Sequence, residues 1–434
     1  MSQRLNRGHL PRLGSRLMAG GAVISVILAL IMVACTSPSQ PPASPAPPHP
    51  RVVKPATPPA PPPPSVADGI NRFSLDLYRG VSSQPGNLIL SPASVYLGLA
   101  QVMAGARGAT ETEFRNSLHV SLPNNEFHRA FGGLYQDLVN RGSGDFKLKW
   151  ASRFWVRQGF DIIPAYSDLL QASYLTATGR FSSPQVAGEI NDWVSQQTEK
   201  EIPEVIKPDQ ITDKSVLLLV NAIFFHGYWL TPFPEDATQS APFHLLAGSS
   251  VQTPMMNLKT ECPVGQAEGF RFLTLWYKGG GMAMTILLPD SPDGLPALEQ
   301  SLDWEKLKNL LAAAQTQPVF IGLPKFKFEN TYELTQNLQS SLPTVFGEKS
   351  DLSGIGDPGP GKFLYISSII HVAKVEVEET GTKAAAATVV NVMGGAPSVE
   401  PRPAEFIADH PFLFLIQDVK TGMILFMGRV ADPR

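Results

Sequence analysis

The stretch Lys374-Val375-Glu376-Val377-Glu378-Glu379-Thr380-Gly381-Thr382-Lys383-Ala384-Ala385-Ala386-Ala387-Thr388 decides the fold. Its first half alternates apolar and charged residues, the pattern of a half-buried strand. The four alanines favour helix by propensity. The flanking Thr380, Gly381 and Thr382 and the run Val389-Val390-Asn391-Val392 favour extended chain instead. A small-residue tract between two strand-like halves can slip between neighbouring strands at little steric cost. An exposed loop with one alanine-rich helical turn is the alternative that these residues leave open.

On either side of this stretch, residues 65 to 434 alternate helical and strand patterns without a second linker or an internal repeat. Ser91-Pro92 predicts a helix start, with Ser91 as N-cap and Pro92 in the first turn, and Gly105 closes that helix. Thr110-Glu111-Thr112-Glu113 has capping-box spacing for the next one. The apolar runs Val216 to Phe225 and Met282 to Leu288 predict strands buried on both faces. Phe412 to Ile416 and Met423 to Met427, joined through Thr421-Gly422, predict a C-terminal hairpin. Strands mixed irregularly with helices argue for an α+β fold rather than a doubly wound one.

The 434 residues are 43% hydrophobic and 17% charged, enough to bury a large core. Thirty-five basic against 38 acidic residues give a net charge of -3, which offers no electrostatic case for nucleic acid. Cys35 and Cys262 are too few for a disulfide framework or a thiolate metal site, and no other metal or cofactor site is apparent. Arg4, Arg7, Arg12 and Arg16 precede 18 uncharged residues, Leu17 to Ala34, which reads as a signal peptide over residues 1–34. Met32-Val33-Ala34-Cys35 resembles a bacterial lipobox, with Met32 where Leu is usual and Cys35 as the lipidated residue. An uncleaved membrane helix and plain secretion are the alternatives, and all three routes export the folded part. Fourteen of the 40 prolines fall in residues 36–64. Residues 35–64 are therefore a lipidated cysteine and a semi-rigid stalk, extended at about 3.1 Å per residue.

Several motifs fail on chemistry. Gly354-Ile355-Gly356-Asp357-Pro358-Gly359 fits a phosphate-binding pattern, but Pro358 and Pro360 remove amide donors and Phe363 stands where a Ser or Thr would ligate magnesium. A surface turn is the better reading. There is no G-x-S-x-G, no H-E-x-x-H and no paired His/Cys cluster, so nothing points to an enzyme. Lys147, Lys149 and Arg153 have the spacing of a solvated strand face.

From about residue 70 to residue 432 the sequence resembles the serpin family. Lys374 to Thr388 is similar to the serpin hinge, with Thr380 and Lys383 where the family usually has Glu. Asp409-His410-Pro411-Phe412-Leu413-Phe414 resembles the family signature. Val220-Asn221-Ala222-Ile223-Phe224-Phe225-His226-Gly227-Tyr228-Trp229 resembles the strand carrying the breach tryptophan, Trp229, with His226 where Lys is common. Asn87, Ser91, Pro92, Ser94, Asn191 and His371 fall on the family's shutter positions.

The resemblance implies a serpin domain over residues 65–434, with three β-sheets, eight or nine helices and an exposed reactive-centre loop. It implies no active site of its own, no cofactor and a monomer. A target protease cleaves the loop and forms an acyl-enzyme, and the cut loop inserts into the central sheet and traps it. Glu379, Gly381, Thr382, Ala384, Ala385, Ala386, Ala387 and Thr388 would be the hinge. If Thr382 points inward, so do Ala384, Ala386, Thr388 and Val390, all small or apolar, and Lys383 falls on the face that can reach solvent. Counting from the hinge puts the scissile bond at Gly395-Ala396, beside Met393. Counting back from Pro411 puts it near Glu400. The hinge count is preferred, because insertion length is set from that side. Small and medium apolar residues there suit an elastase-like or subtilisin-like serine protease. The membrane, through the lipid anchor, is the other expected partner. A non-inhibitory surface lipoprotein of the same fold, binding a ligand or partner, is the competing function.

Overall fold

The computed structural model describes residues 66–141, 146–212, 215–359, 363–382 and 403–434. Cys35, the signal peptide and the stalk lie outside the described residues, and so does the stretch 383–402. Among the described residues are nine α-helices and sheets of nine, four and two strands, an α+β architecture.

The nine-stranded sheet runs in the order Leu88–Leu90, Ile424–Val430, Phe412–Asp418, Met282–Pro289, Phe270–Trp276, Ser250–Ala267, Gln315–Pro324 and Ala404–Ile407, with Gln239–His244 paired to Ser250–Ala267. The expected C-terminal hairpin lies inside it, antiparallel, with every residue of both strands buried. Its turn is closed by the Asp418 carboxylate, which accepts from the Thr421 amide at 3.0 Å, and by Gly422 at φ 70°. Met282–Pro289 is likewise buried on both faces, as its unbroken apolar run predicts.

The helix Pro92–Gly105 begins where Ser91 caps it, the Ser91 hydroxyl accepting from the Ser94 amide at 3.3 Å. Nearly every residue of it is buried, so it threads the core instead of lying on it. Gly105 is required by packing: a Cβ there would overlap Ile355. That contact corrects the reading of residues 354–359. They form a turn, but Ile355 is buried and the Gly354 amide donates to the Gly105 carbonyl at 3.0 Å, so the turn is anchored against the helix. Thr110 is also corrected. The helix Gly108–Ser117 starts earlier, and Thr110 accepts from the Asp351 amide while Glu113 accepts from Thr344. Tertiary partners outcompete the local capping box.

Candidate functional site: a split sheet and its hinge

The strand Leu217–Tyr228 pairs with Phe146–Arg157, which pairs in turn with Ala177–Phe181. The strand Ile370–Val377, the hinge strand, pairs with Phe326–Glu333. Among the described residues no ladder joins Leu217–Tyr228 to the hinge strand. The sheet is in two parts, and the hinge strand borders the seam between them.

After Val377 the chain turns back through Glu379 and Thr380, with Glu378 and Gly381 exchanging backbone hydrogen bonds of 3.0 and 3.1 Å. Gly381 and Thr382 then pair antiparallel with Tyr228 and Gly227. The approach is so close that a Cβ on Gly381 would overlap the Gly227 carbonyl, which explains the glycine. Thr382 is buried, and its hydroxyl lies 2.7 Å from the Tyr277 hydroxyl. Tyr277 stacks on Trp229 at 4.6 Å and 12°. The Trp229 indole donates to the Glu378 carbonyl at 3.0 Å, its amide donates to the Thr380 carbonyl at 2.9 Å, and the Phe233 amide donates to the Glu379 carbonyl at 2.8 Å. Trp229 therefore holds the turn itself.

The Glu379 carboxylate accepts from Lys325 at 2.7 Å and from Thr238 at 2.8 Å. Burial pushes this carboxyl upward, and the hydrogen bonds from Lys325, its own backbone and Thr238 outweigh it, so it titrates below the usual range.

Below Thr382 the seam widens. A small cavity of about 30 Å³ lies between Ile223, Phe225, Lys374 and Glu376. A larger one of about 170 Å³ lies beyond it, walled by residues 217–222 and 366–372, floored by Val95, Gly98 and Leu99, and covered by Val194, Ile202, Val205 and Ile206. This cleft explains a departure from expectation: residues 217–221 are only half-buried, where the apolar run predicts burial on both faces.

The expected shutter residues separate into two places. The Ser91 amide donates to His371 Nε2 at 2.9 Å, and the Ser91 hydroxyl donates to the Leu425 carbonyl at 2.7 Å. Burial lowers the His371 pKa to about 4, so it is a neutral acceptor. Ser94 lines the cleft beside it. Asn87 lies four residues before Ser91, where its side chain bonds Ala431 and Asp432. Asn191 does not join them. It sits on the helix Val186–Gln197, donates to the Ile206 carbonyl at 2.8 Å and accepts from the Val205 and Ile206 amides, tying down the chain that covers the cleft. The amide that does face the cleft is Asn221, which sequence reasoning missed. Its Oδ1 is buried without a hydrogen-bond partner, and its Nδ2 occupies the space that a Cβ on Gly98 would need. The signal was a lone amide within the apolar run Val216 to Phe225.

Lys383, Ala384, Ala385, Ala386, Ala387 and Thr388, and the reactive-bond candidates Met393, Gly395, Ala396 and Glu400, lie outside the described residues. The Lys147 face is solvated as expected, and the Arg153 guanidinium lies 4.3 Å over the Trp155 ring.

The sequence pattern of the family Serpin (serine protease inhibitor) matches residues 68–433. The chain belongs to the serpin family. Over 378 residues this serpin is 35% identical to the leukocyte elastase inhibitor of Sus scrofa, covering 83% of this chain and 98% of that one. It is 32% identical over 373 residues to an uncharacterized serpin-like protein of Thermococcus kodakarensis, covering 85% and 86%. In structure it is similar to Serpin48 of the insect Tenebrio molitor, with a TM-score of 0.74, 30% identity, and 85% and 98% of the two chains covered.

Proposed function

We propose that this serpin is a suicide inhibitor of a serine protease of elastase-like or subtilisin-like preference. The observation that carries the proposal is the position of Gly381 and Thr382. They already form the first two rungs of a new strand beside Leu217–Tyr228, at the head of a cleft that continues in the same direction. Carried on in that register, the chain sets Ala384, Ala386 and Thr388 opposite Phe225, Ile223 and Asn221. On the other side, Thr388 meets His371. A hydroxyl there would supply the donor that Asn221 Oδ1 lacks, and alanine is the side chain that asks for least room beneath a sheet. Cleavage of the loop frees this strand to complete its ladder, and the gain in hydrogen bonds and burial drives the acyl-enzyme across the molecule. The name of the leukocyte elastase inhibitor relative supports the choice of target class.

The chain works outside the cytoplasm as a lipid-anchored monomer of bacterial type, held by Cys35 at the end of the proline-rich stalk. More than one acyl chain gives the stable anchoring that a single chain does not.

Incubation with pancreatic elastase or with subtilisin is expected to give a complex that survives boiling in SDS. The released C-terminal fragment should begin at Ala396. Arg402, followed by Pro403, is the one basic residue near the candidate bonds, and a main cut after it contradicts the specificity; cleavage without any trapped complex favours the non-inhibitory reading. Cys35→Ser should move the protein out of the membrane fraction, and unchanged fractionation sinks the anchor.

A further inference from the structure

The chain leaving the cover helix Val186–Gln197 crosses the seam, and it is fastened on both sides. Glu199 pairs with Lys147 at 2.9 Å, on the strand Phe146–Arg157 of the four-stranded part. Two residues later Glu201 pairs with Lys374 at 3.1 Å, on the hinge strand of the two-stranded part. Between these anchors and the cleft lies Ile202, buried and lining both cavities. It packs in one apolar cluster with Val194, with Ala222 from one wall and with Val372 from the other. The crossing is stiff: the Thr198 hydroxyl donates to the Val194 carbonyl at 2.9 Å and accepts from the Ile202 amide at 3.1 Å, and Asn191 holds Val205 and Ile206.

We propose that Glu201 and Lys374, with Glu199 and Lys147 as the opposite anchor and Ile202 as the plug, form a clasp across the cleft that sets the rate of strand insertion. These are positioning residues for the inhibitory reaction. A strand entering between Leu217–Tyr228 and the hinge strand must widen the seam at Ala222 and Val372, and that movement stretches the span between Lys147 and Lys374. The plug must rise or tilt as the walls part. The Glu201–Lys374 pair is the better buried of the two, with side chains 16% and 26% exposed against 42% and 51% for Glu199 and Lys147, so it should carry more of the resistance. The clasp delays insertion until the loop has been cut, and it disfavours spontaneous insertion of the uncut loop.

The inference rests on the inhibitory reading, and the experiment separates the two. Active protein is held at physiological temperature, and the loss of elastase-trapping capacity is followed with time for the parent, Glu201→Gln, the exchange Glu201→Lys with Lys374→Glu, and Lys327→Gln. Lys327 pairs with Glu376 within the two-stranded part, at 3.0 Å, and so does not cross the seam. Glu201→Gln is expected to lose capacity about two- to five-fold faster, while the rate at which elastase attacks the loop stays at the parental value. The exchange should restore the parental lifetime, and Lys327→Gln should keep it. Parental decay in Glu201→Gln, or equal acceleration in Lys327→Gln, overturns the clasp. If the parent itself traps no protease and gains no thermal resistance when its loop is cut, the inhibitory reading fails, and the clasp fails with it.

Discussion

The upper and lower ends of the seam are built from the same two strands, yet they differ in how their polar groups are met. At the top, Trp229, Glu379, Lys325, Thr238, Tyr277 and Thr382 have partners, the Thr380 hydroxyl in the turn is buried without one, and two rungs of a new ladder are in place. At the bottom, Asn221 Oδ1 is buried without one, and a cavity of about 170 Å³ separates the walls. A buried amide oxygen left unpaired costs about 1–3 kcal/mol, and cavity walls forfeit dispersion contacts. Because the larger cavity lies only below, most of the free energy that insertion releases is stored there, and the register that directs it is fixed above.

The strongest way to break this division is at its upper boundary. Thr382→Arg forces a guanidinium into the site where a hydroxyl meets Tyr277, at a cost of several kcal/mol for a buried, unpaired charge. Slowed insertion gives the acyl-enzyme time to hydrolyse. The variant should be cut at the same bond and released as substrate, with the moles of inhibitor consumed per mole of protease rising steeply. An unchanged ratio contradicts the inward placement of Thr382.

The next effect belongs to the lower end. Above pH 6.5 His371 is neutral in both the folded and the unfolded chain, so it adds no pH dependence. As the pH falls below 6.5 the unfolded chain takes up a proton that folded His371 refuses until about pH 4, so native stability drops across that window. The full loss is about 3 kcal/mol. His128 adds in the same sense, since burial first and Arg115 second lower it to about 4 as well. His371→Gln keeps an acceptor near the Ser91 amide and should flatten part of this acid slope in urea midpoints measured from pH 7 to pH 4. An identical slope shows that His371 does not titrate as its burial requires.

The contrast also divides what sequence could tell. The strand up to Val377 and the C-terminal hairpin were legible because each rests on local alternation or an apolar run, whereas the place of Trp229 came only through the resemblance and the turn at Glu379 and Thr380 left no local signal. The Thr110 capping box misled because its side chains found Asp351 and Thr344, far away in sequence. Asn191 was placed with the wrong group for the same reason: its partners are on the cover segment, and Asn221 holds the position at the cleft. The seam had no sequence signal, because a strand pattern states which face is apolar and not which neighbour it takes.

A smaller effect tests the anchor of the turn. Glu379→Gln keeps a hydrogen-bond acceptor for Thr238 but removes the charge facing Lys325, whose side chain is 37% exposed. Solvent screening limits the loss to about 1 kcal/mol. The thermal midpoint of the uncut protein should fall by a few degrees, and its lifetime as an active inhibitor should shorten. A rise in either contradicts a stabilising role for this ion pair.

The smallest expected effect is at Lys383, one residue beyond the last observed rung. If the ladder continues in the register of Thr382, Lys383 lies on the outer face between His226 and Glu376. Burial first, then Lys147, lower the pKa of His226, so it is neutral near pH 7 and does not repel the lysine. Lys383→Glu would gain a weak attraction to Lys147, the ladder partner of His226, and would meet repulsion from Glu376, which Lys327 already offsets. The two contributions oppose each other, and each is worth a few tenths of a kcal/mol between exposed cross-strand charges. The inhibitor-to-protease ratio should therefore barely move, and the small remainder should vanish in high salt. A salt-independent rise comparable to that of Thr382→Arg would mean that the outer and inner faces of the inserting strand have been exchanged.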